Sequence, residues 1–187
     1  KFINTGSSSE YGYKKTKMKE KDNLQPDNHY GVFKASFTSY CKIKALNDNL
    51  PIITIRPFHV YGPGENKKRL IPTIINYLKQ NKSPPLVSPK ITRDMIYVLD
   101  VIYFYIQVAT KKDIKGEIFN IASGKKYTIK DIFYNIKKIM NSKVLPVWQT
   151  MKNRDHDKLI WVADMKKTKK MFNFKRLHNL NDGLQKT

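Results

Sequence analysis

Strand-like and helix-like stretches take turns along these 187 residues, and few architectures accommodate that order. Lys1 to Thr5 is a short apolar strand, followed by a small-residue turn from Gly6 to Gly12. Tyr30 to Leu46 has helical spacing, with Phe33, Phe37, Tyr40, Cys41 and Ala45 recurring three or four residues apart. Pro51 to Arg56 is a β-branched strand, Tyr61 to Asn66 a loop, and Leu70 to Gln80 a second helix. Asp94 to Tyr97 reads as extended, Leu99 to Ala109 as an apolar helix, and Glu117 to Ile121 as a buried strand. A helix from Thr128 to Met140 follows, with Thr128 as its N-cap and Asp131 in the capping-box position. Asp164 to Phe172 is a last amphipathic helix. Strands joined by crossover helices predict an α/β fold with a parallel sheet. The chain opens on Lys1, already in a strand, and Leu184 to Thr187 reads as an unclosed helix. The sequence is therefore expected to be a piece of a longer protein.

A formal charge of +21 raises the question of nucleic acid, but its make-up points elsewhere. The 36 basic residues include only five arginines, and the lysines are spread along the whole chain. Nucleic-acid interfaces favour clustered arginine forks with aromatic residues between them, so no nucleic-acid partner is expected. The best apolar run, Val98 to Ala109, is too short to span a bilayer and contains Asp100, so no membrane partner is expected either. No secretory signal is visible, and the single cysteine, Cys41, has no internal disulfide partner; a reducing, cytoplasmic setting follows. The four histidines are dispersed, and no metal site is expected.

Chemistry concentrates at two places: Ser7-Ser8-Ser9-Glu10-Tyr11-Gly12 after the first strand, and Tyr30-Gly31-Val32-Phe33-Lys34 at the start of the first helix. Residues four apart on a helix share a face, so Tyr30 and Lys34 belong to one site. A tyrosine with a pKa of about 10 is a poor base at neutral pH, whereas a fixed ammonium beside it favours the phenolate. A serine hydroxyl at a strand end then shares the substrate's hydroxyl and orients its proton. The spacing alone also fits a solvated surface pair.

The order of further segments decides between these readings. Thr5 to Gly12, Tyr30 to Ala35, Ile55 to Gly64, Arg69 to Thr73, Arg93 to Val101, Gly116 to Gly124 and Trp161 to Asp164 together resemble the extended short-chain dehydrogenase/reductase family, the NAD-dependent sugar-nucleotide epimerases and dehydratases. The resemblance implies an enzyme that binds NAD or NADP and a nucleotide-diphosphate sugar. Its fold would be the C-terminal part of a Rossmann-type parallel sheet, interleaved with a small substrate-binding domain. Residues 1–63 and 93–123 would belong to the cofactor domain, and 64–92 and 124–187 to the substrate domain. Ser7, Tyr30 and Lys34 take the catalytic positions, with Ser8 the nearest rival to Ser7. Tyr30 and Lys34, with Pro57 and Phe58, would also meet the cofactor. Ser8, Ser9, His59, Arg93, Arg154 and Asp157 would meet the substrate, the two arginines gripping its diphosphate. A homodimer is implied through the helix that carries the pair, near Phe37, Tyr40 and Lys44.

Departures from the family pattern narrow the reaction. His59 stands where many relatives have an asparagine, and an imidazole hydrogen-bonds with different geometry. Dehydratases follow the catalytic Ser/Thr with an Asp-Glu pair, where this chain has Ser8 and Ser9. Decarboxylases carry a glutamate two residues before the motif's tyrosine; here that position is Ser9, and Glu10 is displaced by one. Four-epimerisation through a 4-keto intermediate is the expectation, with 4-keto reduction or a non-catalytic binding or regulatory role as alternatives. The family's Gly-x-x-Gly-x-x-Gly dinucleotide fingerprint is not present in these residues, so the chain by itself is expected to bind NAD weakly or not at all and to be inactive.

Overall fold

The computed structural model describes residues 1–150 and 160–187. In chain order its elements are β1 (Phe2–Thr5), a 3₁₀ helix (Ser8–Tyr11), α1 (His29–Asn47), β2 (Ile52–Pro57) and β3 (His59–Tyr61). Then come α2 (Leu70–Lys79), β4 (Pro85–Leu86), β5 (Thr92–Arg93), β6 (Met95–Tyr97) and α3 (Val98–Thr110). The remainder is β7 (Ile118–Ile121), β8 (Tyr127–Thr128), α4 (Ile129–Ile139), β9 (Val147–Trp148), α5 (Lys166–Phe172) and α6 (Leu180–Gln185).

The expected parallel α/β sheet is present, in the order β1-β2-β7, with Phe2 opposite Ile52 and Thr54 opposite Ile118. Its middle strand is buried continuously from Ile53 to Arg56, as a parallel strand covered on both faces requires. Ile53, Ile55, Phe119 and Ile121 form one apolar cluster with Phe104 of α3 and Met165 and Phe174 near α5. A second cluster lies between α2 and α4, where Ile71 and Ile74 meet Ile132, Phe133 and Ile136, and α6 adds Leu180 and Leu184. Short ladders pair β3 with β6, β4 with β9 and β5 with β8.

Capping behaves as the sequence predicts at Thr128, whose side chain accepts from the Asp131 N–H while the Asp131 carboxylate accepts from the Thr128 N–H. The last helix opens on a reciprocal Asn179–Asp182 box. At α5 the helix starts two residues late, because the Asp164 carboxylate accepts from the Lys166 N–H ahead of the first turn.

Candidate active site

A cavity of about 790 Å³ opens where β1 and β2 end, the usual place for a ligand on a parallel sheet. Gly6 to Ser9 form one wall, Pro57 to Val60 the floor, Asp27, Asn28 and Tyr30 the loop-to-α1 side, and Arg69, Arg93 and Trp161 the remainder.

The serine turn is held from below by a buried ion pair. Glu10 is wholly buried; one carboxylate oxygen accepts from the Ser7 N–H at 2.8 Å and the Thr38 hydroxyl at 3.0 Å. Its other oxygen takes the Arg56 Nε at 2.8 Å, and the Arg56 guanidinium lies 4.6 Å from the centre of the Tyr11 ring. The Tyr11 hydroxyl donates to Asn120 at 2.7 Å, and burial pushes its pKa far above the ordinary phenol value. Glu10 thus faces inward and cannot act on a sugar, which gives a physical reason for its displaced position. Ser7 caps the 3₁₀ turn by accepting from the Ser9 N–H at 3.1 Å, so its own hydroxyl proton can serve the cavity. The Ser8 oxygen accepts from the Trp161 indole at 3.1 Å.

Helix α1 delivers Tyr30. Asn28 caps it by accepting from the Gly31 N–H at 2.8 Å. Gly31 is required by proximity: a Cβ there would come within 2.6 Å of the Ser9 carbonyl oxygen, so only glycine lets the helix start against the serine turn. Lys34 lies one turn on, behind the cavity wall. Its ammonium is 5.7 Å from the centre of the Tyr30 ring and donates to the Thr5 carbonyl at 2.7 Å.

Two cations also line the cavity. Arg69 is the residue before α2, with the Glu65 carboxylate 3.7 Å from its Nε, and Arg93 lies in β5. Both act on His59, whose imidazole is held well below its ordinary pKa by burial first and by Arg93 and Arg69 next. Its Nδ1 is buried without a hydrogen-bond partner among the described residues, and its ring meets Trp161 edge-on at 6.3 Å. Asp94 ties this wall together: its carboxylate accepts from Ser123, Gly124 and the Ala163 N–H, fixing Arg93 beside the segment that carries Trp161.

Of the residues expected from sequence, Ser7, Ser8, Ser9, Tyr30, Pro57, Phe58, His59 and Arg93 line this one cavity, with Lys34 just behind it. Arg154 and Asp157 lie outside the described residues. Arg69 and Trp161 were not assigned a role; both stood in the resembling segments, and Arg69 is one of only five arginines. Asp27 gave no signal beyond its place three residues before Tyr30.

Residues 1–122 match the model of the NAD dependent epimerase/dehydratase family. An uncharacterized UDP-glucose epimerase of Bacillus subtilis, YtcB, is 27% identical over 184 residues, covering 98% of this chain and 58% of that protein. The dTDP-4-dehydro-6-deoxyglucose reductase of Escherichia coli is 26% identical over 189 residues, covering 99% and 58%. Among solved structures, the UDP-glucuronic acid 4-epimerase of Bacillus cereus, in complex with UDP-glucuronic acid and NAD, superposes with a TM-score of 0.89 at 27% identity, covering 99% of this chain and 59% of that one. The UDP-N-acetylglucosamine 4-epimerase of Methanobrevibacter ruminantium M1 gives 0.91 at 26%, covering 99% and 60%. The chain spans under two thirds of the length of these relatives.

Proposed function

This chain belongs to the NAD-dependent epimerase/dehydratase family, and from that premise we propose that the protein it forms inverts C4 of a nucleotide-diphosphate sugar through a 4-keto intermediate. The observation that carries the reading is the cavity that unites Ser7, Tyr30, Arg69 and Arg93, with Lys34 behind Tyr30. Such a cavity suits a sugar at the tyrosine and a diphosphate at the guanidinium groups.

The residues present fit the nicotinamide end of NAD. An ammonium fixed on the Thr5 carbonyl can reach a ribose hydroxyl, and Pro57 and Phe58 offer an apolar wall. NAD, when bound, supplies the hydride acceptor that oxidation at C4 requires. Tyr30 would take the 4-hydroxyl proton and later return it, and Ser7 would hold the same oxygen through its own hydroxyl. Fixing both donors on a strand end and a helix start keeps them oriented without reorganisation. The sequestered Glu10 and the occupied Ser8 oxygen disfavour dehydration and decarboxylation, which need a carboxyl group on this turn.

Residues 1–63 and 93–123 form our proposed cofactor domain, and 64–92 with 124–187 the substrate domain. Arg154 and Asp157 are retained as substrate contacts within this proposal. We place a homodimer contact on the outer face of α1, where Phe33 is 75% exposed and the rings of Phe37 and Tyr40 stack at 6.1 Å.

The test is to incubate the full-length protein with UDP- and dTDP-hexoses and NAD and follow C4 configuration by NMR. Inversion in the wild type that is lost by at least about a hundredfold in Tyr30→Phe supports the reading. A Tyr30→Phe variant at full rate excludes it. The rival, a 4-keto reductase, would consume reduced cofactor mole for mole.

A further inference from the structure

A second cavity, of about 560 Å³, opens where β7 begins, and none of its described lining residues belongs to the candidate active site. Four segments line it: residues 19–21, the later turns of α1 at Lys42 and Leu46, the entry to β7 at residues 115–118, and the approach to α5 at residues 164–167. The Gly116 N–H donates to the Ile52 carbonyl at 2.8 Å, so this is the end of the sheet where β2 starts. The candidate active site takes Pro57, where β2 ends.

The volume suits a small-molecule ligand. Six lysines and three carboxylates stand among the described lining residues. The side chains of Lys19, Lys21, Lys42 and Lys166 make no hydrogen bond or ion pair among the described residues, which leaves their ammonium groups to an anion. Like charges gathered around one concavity raise its potential and draw multivalent anions. Other parts of the lining are fixed by the fold. Lys167 donates to the Glu117 carboxylate at 2.6 Å and to the Ile118 carbonyl at 2.8 Å. The Glu20 carboxylate accepts from the Asn120 N–H at 3.0 Å, and the Glu20 carbonyl accepts from Arg56 at 3.3 Å.

From this lining we propose that the cavity is a second ligand site, one that takes a small sugar phosphate. The phosphate meets the unpaired ammonium groups, and the sugar hydroxyls meet the carboxylates of Glu20 and Asp164. A phosphate monoester carries close to two negative charges at neutral pH, which lysine meets as a point charge. Carboxylates repel a bare anion but accept hydrogen bonds from hydroxyls. A mixed lining of this kind therefore favours a ligand with both groups over inorganic phosphate or a free sugar.

The experiment titrates the full-length protein with glucose 1-phosphate, inorganic phosphate and glucose by calorimetry, with UDP-glucose titrated separately. Glucose 1-phosphate should bind at least about tenfold more tightly than phosphate, and glucose should give no binding heat. Lys42→Gln/Lys166→Gln should weaken glucose 1-phosphate at least about tenfold and leave UDP-glucose within about twofold. Arg93→Gln, in the candidate active site, should leave glucose 1-phosphate within about twofold.

Phosphate binding as tightly as glucose 1-phosphate would overturn the ligand class. An unchanged affinity in the lysine variant would overturn the site. So would loss of binding in Arg93→Gln, because the probe would then occupy the candidate active site. Equal weakening of UDP-glucose in the lysine variant would reduce the effect to overall charge and overturn it as well. If UDP-glucose binds nowhere, the proposed reaction fails, while the glucose 1-phosphate titrations still decide the second site.

Discussion

Removing the Glu10 carboxylate should destabilise the protein more than almost any single side-chain change on the cavity wall above it. Arg56 is 1% exposed and Glu10 0%, so in Glu10→Ala a guanidinium stays buried without its counter-charge. Breaking one partner of such a pair costs about 3–5 kcal/mol, because the remaining charge is desolvated and unpaired. The Ser7 N–H and the Thr38 hydroxyl lose their acceptor as well, each worth about 1 kcal/mol. Chemical denaturation of wild type, Glu10→Ala, Glu10→Met, Arg56→Met and the double Glu10→Met/Arg56→Met forms the assay. The double variant should recover much of the loss, since an apolar pair of similar volume replaces the charges. It should not recover turnover, because nothing then holds the Ser7 turn. A cost below about 1 kcal/mol for Glu10→Ala would refute the reasoning, as would losses that add within about 0.5 kcal/mol in the double variant.

Glu65 supplies a pH test. Burial pushes its carboxyl up to about 7, only partly offset by Arg69, and its Oε2 has no hydrogen-bond partner among the described residues. Between the ordinary value near 4.5 and about 7 the folded protein holds a proton that the unfolded chain has released. Stability from this group is therefore full at low pH and falls as pH rises through that window. Glu65→Gln should lack that decline, so denaturation midpoints at pH 5 and pH 8 should differ less than in wild type; identical pH dependence would refute it. On α1, Phe37→Glu should convert the proposed dimer to a monomer in sedimentation velocity, since a charge cannot be buried in an apolar contact without a partner. An unchanged sedimentation coefficient would place the contact elsewhere.

Much of the framework was legible because it rests on local periodicity. The main strands and helices follow from runs of four to nineteen residues whose apolar spacing survives tertiary packing. Elements of two or three residues, such as β3, β5 and β8, have no period to read; they exist because a distant partner pairs with them. The same distinction holds in the site. Tyr30 and Lys34 are one helical turn apart and could be found by spacing, whereas Glu10 and Arg56 meet across 46 residues of sequence. Trp161 reaches the serine turn from 153 residues away, so its bond to Ser8 had no local signature.

The central claim is oxidation and return at one carbon, with Tyr30 as the proton carrier. It is tested most directly by a C4-deuterated UDP-hexose given to the full-length protein with catalytic NAD, followed by NMR. The account predicts an inverted product that keeps its deuterium at C4, with no net change in cofactor, and loss of that conversion in Tyr30→Phe. Washout of the label into solvent, or oxidation state changing mole for mole with cofactor, would contradict it.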